Sequence, residues 1–249
     1  MLSIMKIGLI SVLFVLILFM PGCARLQRDM PMNTRHETVV LLHGLARTER
    51  SMRRMEATLR KQGYRVLNHG YPSTKASIEQ LTKKVFEDVM PRIETAKKVH
   101  FVTHSLGGII LRKGLETRDI PNLGRVVMLA PPSRGSEIPD KLGDFKIYRL
   151  INGPAGNQLG TGTNSVPLQL EEPDFELGII AGDRSINPIL SLLIPGPDDG
   201  KVAVDRVKPE TFTDSILLHC THACMMRNRE VLKQTKHFLA NGEFKHNPG

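Results

Sequence analysis

Tryptophan is absent from this chain, tyrosine occurs three times, and aromatic residues make up only 5% of it. Few aromatics argue against a nucleic-acid surface built on base stacking. Cysteine is scarce too, with three in 249 residues. Cys220 and Cys224 bracket His222 in HCTHAC, and only His219 and His222 lie near enough to help. Those are too few ligands at suitable spacing for zinc, so no metal is expected. The pair has two open states, a disulfide in an exporting context or two free thiols. There is no internal repeat and no second domain of comparable size.

What is present fits one globular domain with a tail. Apolar residues are 41% of the chain and charged residues 24%, enough for a core at this length. The formal net charge is +9. The basic residues are spread along the chain, which reads as a solvated basic face. Such a face favours acidic partners such as a membrane surface, and no nucleic-acid partner is expected. Oligomeric state is not legible.

The exception to the even composition is the start. Residues 1–22, MLSIMKIGLISVLFVLILFMPG, carry one charge, Lys6. The apolar stretch is of signal-peptide length and short for a bilayer span. Cys23 follows Pro21-Gly22 where cleavage would fall, which resembles a bacterial lipoprotein signal with a lipidated cysteine. An uncleaved N-terminal anchor is the alternative. Residues 1–22 are thus expected to be a signal or anchor, 23–37 a polar tether, and 38–249 the folded domain. Either way the domain would be exported and attached to a membrane.

Beyond the tether, apolar runs alternate with amphipathic stretches. Strands are expected at Thr38–Leu42, Tyr64–Leu67, Val99–Thr103, Arg125–Leu129, Phe175–Gly182 and Asp214–Cys220. Helices are expected over about 50–62, from Ser77 with Gln80 completing a capping box, over 106–116, and over 229–239. Residues 137–174, rich in Gly, Pro and Asn, suit a small cap or lid. Alternation of this kind implies an α/β fold, a mostly parallel sheet with helices on both faces.

One strand runs straight into Thr103-His104-Ser105-Leu106-Gly107-Gly108. A serine hydroxyl becomes a nucleophile when a histidine takes its proton and a carboxylate orients that histidine. A sharp strand-to-helix turn projects it toward substrate, and small neighbours let the turn close. Ser105 has that setting, with threonine in place of the first glycine of G-x-S-x-G. Two backbone N–H groups should meet the oxyanion. That of Leu106 follows the serine directly, and that of Leu45 lies in the HGL loop after the first strand. His43 in that loop reads as packing. His222, just past the last strand, is the candidate base. His219 is assigned a structural place by strand alternation. The candidate acid is Asp199 in PGPDDGKV, with Asp183 after the fifth strand as the alternative.

These segments resemble the α/β-hydrolase superfamily, its bacterial lipase and esterase branch in particular. The HGL loop, the serine elbow, the DDGKV loop and the late TH before the terminal helix correspond in order. The resemblance implies an α/β-hydrolase fold with a minimal cap and acyl-enzyme chemistry without a cofactor. It also places the acid in an Asp-Gly-x-Val loop, which favours Asp199. The expected function is a membrane-tethered serine hydrolase of carboxylic, including lipid, esters. An acyltransferase using the same acyl-enzyme, or an inactive tethered binding protein, are the alternatives.

Overall fold

A computed structural model describes residues 36–246. The signal or anchor, Cys23 and nearly all of the tether lie outside the described residues. Among those described, no helix is long and apolar enough to cross a membrane.

The apolar runs form six strands: β1 (Glu37–Leu42), β2 (Arg65–His69), β3 (Lys98–His104), β4 (Leu123–Leu129), β5 (Leu177–Gly182) and β6 (Asp214–Leu218). All pair in parallel, in the order β2-β1-β3-β4-β5-β6. Successive side chains on a strand point to opposite faces, and the core divides accordingly. Val40, Leu42, Phe101 and Met128 join one apolar cluster, while Val39, Leu41, Val102 and Leu129 join another. A parallel sheet buried on both faces needs such continuous apolar strands.

The α-helices among the described residues are, in chain order, α1 (Arg53–Arg60), α2 (Ile78–Ile93), α3 (Leu106–Leu115), α4 (Glu137–Leu142), α5 (Lys146–Asn157), α6 (Val166–Gln169), α7 (Pro188–Ser191) and α8 (Arg229–Asn241). Helices α2 and α3 cover one face of the sheet, through Leu81, Val85, Ile109 and Ile110 among others. Helices α1 and α8 cover the other, through Met55, Leu59, Val231 and Phe238. The start of α2 is the expected capping box: Ser77 Oγ accepts from Gln80 N and Gln80 Oε1 accepts from Ser77 N. Asn228 caps α8, its Oδ1 accepting from Glu230 N and Val231 N, and Gly242, at φ 84°, ends the helix.

The order of strands decides where a site can form. From β1 the chain goes out to β2, then returns past β1 to β3. That reversal leaves a crevice at the C-terminal ends of β1 and β3, the usual binding place in open α/β sheets. Their register pairs Leu42 with Thr103. The HGL loop and the serine elbow therefore leave the sheet side by side.

Some boundaries differ from the periodicity. The helix expected from residue 50 opens as a 3-10 turn, Glu49–Met52, before α1 begins. Strand β2 starts one residue later and runs on to His69. Strand β6 stops at Leu218, because Cys220 N turns back to bond Leu218 O at 2.8 Å. The segment 137–174 forms the three short helices α4, α5 and α6. Helix α5 is kinked at Gly153, whose φ of 64° precedes Pro154.

Candidate active site

Ser105 occupies the single residue between β3 and α3, with φ 52° and ψ −123°. Positive φ in a residue with a Cβ is strained, and such strain concentrates at functional positions. Two features hold the turn. Ser105 N donates to Leu129 O at 2.9 Å, and Gly108 N donates to Ser105 O at 2.9 Å. Glycine is required at 107, since a Cβ there would sit 2.7 Å from Leu42 O and 2.8 Å from His43 O. The missing first glycine, Thr103, is fully buried and leaves the turn intact.

The loop after β1 lies against this elbow. A Cβ on Gly44 would come within 2.7 Å of His104 Nδ1 and 3.1 Å of Ser105 Cβ. Glycine at 44 lets this loop pack directly against the elbow. His43 braces the loop from beneath. Its Nδ1–H donates to Gly44 O, its Nε2 accepts from Tyr71 N, and its ring stacks on Tyr71 at 4.1 Å. The Tyr71 hydroxyl donates to His43 O. Burial lowers the His43 pKa, which suits a neutral ring with both nitrogens engaged. Leu106 is the first residue of α3, where a backbone N–H has no partner within the helix. Leu45 lines the same pocket as Ser105.

The DDGKV loop brings the acid to the base. Asp198 makes the turn: its Oδ1 accepts from Gly200 N at 2.6 Å and from Ser191 Oγ at 2.9 Å. Asp199 points inward, with a fully buried side chain. Its Oδ1 accepts from Lys201 N at 3.0 Å and Val202 N at 2.9 Å, leaving Oδ2 for His222 Nδ1 at 2.7 Å. A carboxylate only accepts, so Nδ1 carries the hydrogen and Nε2 is the free base. A backbone bond, His222 N to Asp199 O at 2.9 Å, ties the two loops.

Asp183 does not reach His222. It pairs with His219 at 2.9 Å, and that ring is 72% exposed. His219 is therefore a surface residue with a carboxylate partner, because β6 is an edge strand that ends before it.

One neighbour escaped the sequence reading. His104 is completely buried, its ring tilted against that of His222 at 4.7 Å, and its Nε2–H donates to His222 O at 3.1 Å. Burial, with His222 next, lowers its pKa well below the usual value. Its signal was its place directly before the serine, at the last residue of β3.

Ser105 and His222 face one pocket of about 250 Å³. Leu45, Ile138, Tyr148, Leu159 and Val202 supply apolar wall, and Arg47 and Lys201 supply positive charge. Tyr148 on α5 and Ile138 on α4 put the 137–174 segment over the site. Among the described residues no cluster of three or more metal-ligating side chains occurs. Cys220 and Cys224 are free thiols, the first buried with its pKa pushed up to about 12, the second exposed.

Residues 32–126, which include the HGL loop and the elbow, match the family described as "Putative serine esterase (DUF676)". No curated protein sequence matches the chain significantly. Among solved structures, the mature Bacillus licheniformis lipase BlEst2 superposes with a TM-score of 0.67 at 19% identity, over 81% of this chain and 91% of that one. The metagenomic carboxyl esterase MGS0156 gives 0.61 at 17% identity, over 78% and 67%. Phospholipase PlaB from Legionella pneumophila gives 0.57 at 19% identity, over 69% of this chain and 45% of that one. The chain thus has the fold of α/β-hydrolases, and its residues 32–126 are similar to a family of serine esterases.

Proposed function

We propose that the chain hydrolyses carboxylic esters of lipids through an acyl-enzyme on Ser105. The observation that carries this is the strained elbow serine sharing a pocket with His222, whose Nδ1 is held at 2.7 Å by the buried Asp199. Ser105 Oγ attacks the ester carbonyl carbon while His222 Nε2 takes the hydroxyl proton. Asp199 stabilises the imidazolium. Leu45 N–H and Leu106 N–H receive the oxyanion. The tetrahedral adduct collapses, the C–O bond breaks, and His222 returns the proton to the departing alcohol. Water, deprotonated by His222, then attacks the acyl-enzyme and releases the acid and Ser105.

A lipid ester suits the surroundings of the pocket. Beside it, α5 exposes Ile147, Leu150 and Ile151, and the α7 segment exposes Ile186, Ile189 and Leu192. The two pack together through Tyr148, Leu190 and Leu193. Exposed apolar residues in such a group mark a surface that meets something apolar. Export and attachment through a lipidated Cys23 would bring that surface to a membrane.

Reaction of the full chain with a fluorophosphonate probe tests the mechanism, with Ser105→Ala as control. Labelling lost in the variant supports it, and no labelling of folded protein refutes it. A p-nitrophenyl ester series from acetate to palmitate reads the acyl preference. For the anchor, Cys23→Ser should abolish metabolic labelling by fatty acid, and unchanged labelling would sink the lipoprotein reading.

A further inference from the structure

The pocket that holds Ser105 opens beside a second hollow of about 350 Å³, and the two share Ala46 and Arg47. The second hollow is lined by three arginines, Arg47, Arg50 and Arg227, with the hydroxyl residues Thr48 and Ser51. Among the described residues no carboxylate lines either space. Neither Arg47 nor Arg50 has a hydrogen bond or ion pair from its guanidinium to another described residue, and Arg227 reaches only Cys224 Sγ at 3.7 Å. Four other arginines, Arg60, Arg125, Arg149 and Arg206, each hold a carboxylate. Glu49 is close in sequence, but its carboxylate is turned to Gly70, 2.8 Å from where a side chain there would begin.

Like charges gathered without a counter-ion repel one another, so this arrangement disfavours itself until an anion enters. Guanidinium groups match phosphate oxygens in geometry as well as charge. Lys201 adds a further cation to the serine pocket, and its pKa is lowered by burial and by Arg47. The apolar wall suits an acyl chain, and the arginine hollow lies on the side of the HGL loop.

We propose that the arginine hollow binds a phosphate group carried by the alcohol part of the ester substrate, with Arg47 spanning the hollow and the reaction pocket. This rests on the esterase reading above for its catalytic half, while the binding half stands alone. A phosphate on a dissolved glycerol ester and a phosphate at a lipid surface present the same chemistry.

The test uses the full chain in neutral detergent. Calorimetry on Ser105→Ala compares 1-hexanoylglycerol 3-phosphate with uncharged 1-hexanoylglycerol. The phosphate compound should bind at least about tenfold more tightly, the scale of one charge-assisted contact. Adding Arg50→Gln and Arg227→Gln should remove that preference, and so should high salt. The Lys83→Gln control, on α2, should keep it. Equal affinity for the two compounds, or a preference that survives the double substitution, overturns the site. The catalytic chain is then assayed on the same pair and on 1-palmitoylglycerol 3-phosphate in phosphatidylcholine vesicles. Preference with the dissolved compound assigns a free phosphate ester. Preference in vesicles alone, lost in the double variant, assigns a lipid headgroup. Binding preference without any hydrolysis removes the esterase reading and leaves the site. Hydrolysis without binding preference does the reverse.

Discussion

Replacing Asp199 by asparagine tests the site at its most constrained point. The side chain is fully buried, and three polar contacts fix it: two backbone N–H groups on Oδ1 and His222 on Oδ2. Asparagine has the same shape but only one oxygen. If that oxygen stays with Lys201 N and Val202 N, the amide nitrogen faces His222 Nδ1. If the amide flips, two buried N–H donors face an NH2 group, which costs about 1–3 kcal/mol for each lost partner. The unflipped state wins. His222 must then offer a lone pair at Nδ1 and carry its hydrogen on Nε2, so it can no longer accept the Ser105 proton. For a triad in this geometry the loss is about 10³ to 10⁴ in kcat, or ~4–5.5 kcal/mol of barrier. The assay is steady-state hydrolysis of p-nitrophenyl butyrate by the full chain. KM should change little, and Tm should shift by no more than about 4 °C. Asp183→Asn, whose partner His219 is at the surface, should stay within about twofold of wild type. If Asp199→Asn keeps more than about a tenth of kcat, or Asp183→Asn is the damaging change, the assigned acid is wrong.

Other outcomes follow from the same geometry. Gly107→Ala pushes a Cβ onto two backbone oxygens, so both Tm and activity should fall; a soluble, fully active variant would contradict the close packing of α3 on β1. Gly44→Ala meets the His104 ring and Ser105 Cβ instead, so kcat should drop by about 10² through a displaced Leu45 N–H while Tm falls less; a change in KM alone would argue against the oxyanion role. Four histidines, His43, His69, His100 and His104, have pKa values lowered mainly by burial. The unfolded chain therefore takes up protons near pH 6.5 that the folded chain refuses, and stability present above that pH is lost as pH falls toward the folded values. The urea midpoint should be lower at pH 5.5 than at pH 7.5, by a smaller margin in His104→Gln, and an equal or higher midpoint at pH 5.5 would refute this. A maleimide should modify Cys224 quickly and Cys220 only on unfolding; equal rates, or none without reductant, would contradict the free, unequal thiols.

Much of the site was legible in the sequence because its parts are local. Apolar runs of strand length, a glycine pair after Ser105 and the HGL loop each state their geometry within a few residues. The pairing of His222 with Asp199 was only narrowed. Asp183 and Asp199 both follow strands or turns in the right region, and nothing in their neighbours says which carboxylate is buried. The choice depends on Asp198 taking the turn and freeing Asp199 to point inward. His219 shows the same limit, since alternation assigns a face but not whether a strand continues or lies at an edge.

By itself, then, the sequence determined the parallel α/β architecture and the strand-to-helix elbow at Ser105, because each is set by short-range sterics and side-chain period. The tertiary structure alone decided which acid meets the histidine, that His104 supports the His222 loop, and that Arg47, Arg50 and Arg227 gather beside the pocket. Those residues lie up to 180 positions apart. They meet only because the strand order sets the ends of β1 and β3 side by side and β6 returns the chain to the same rim of the sheet.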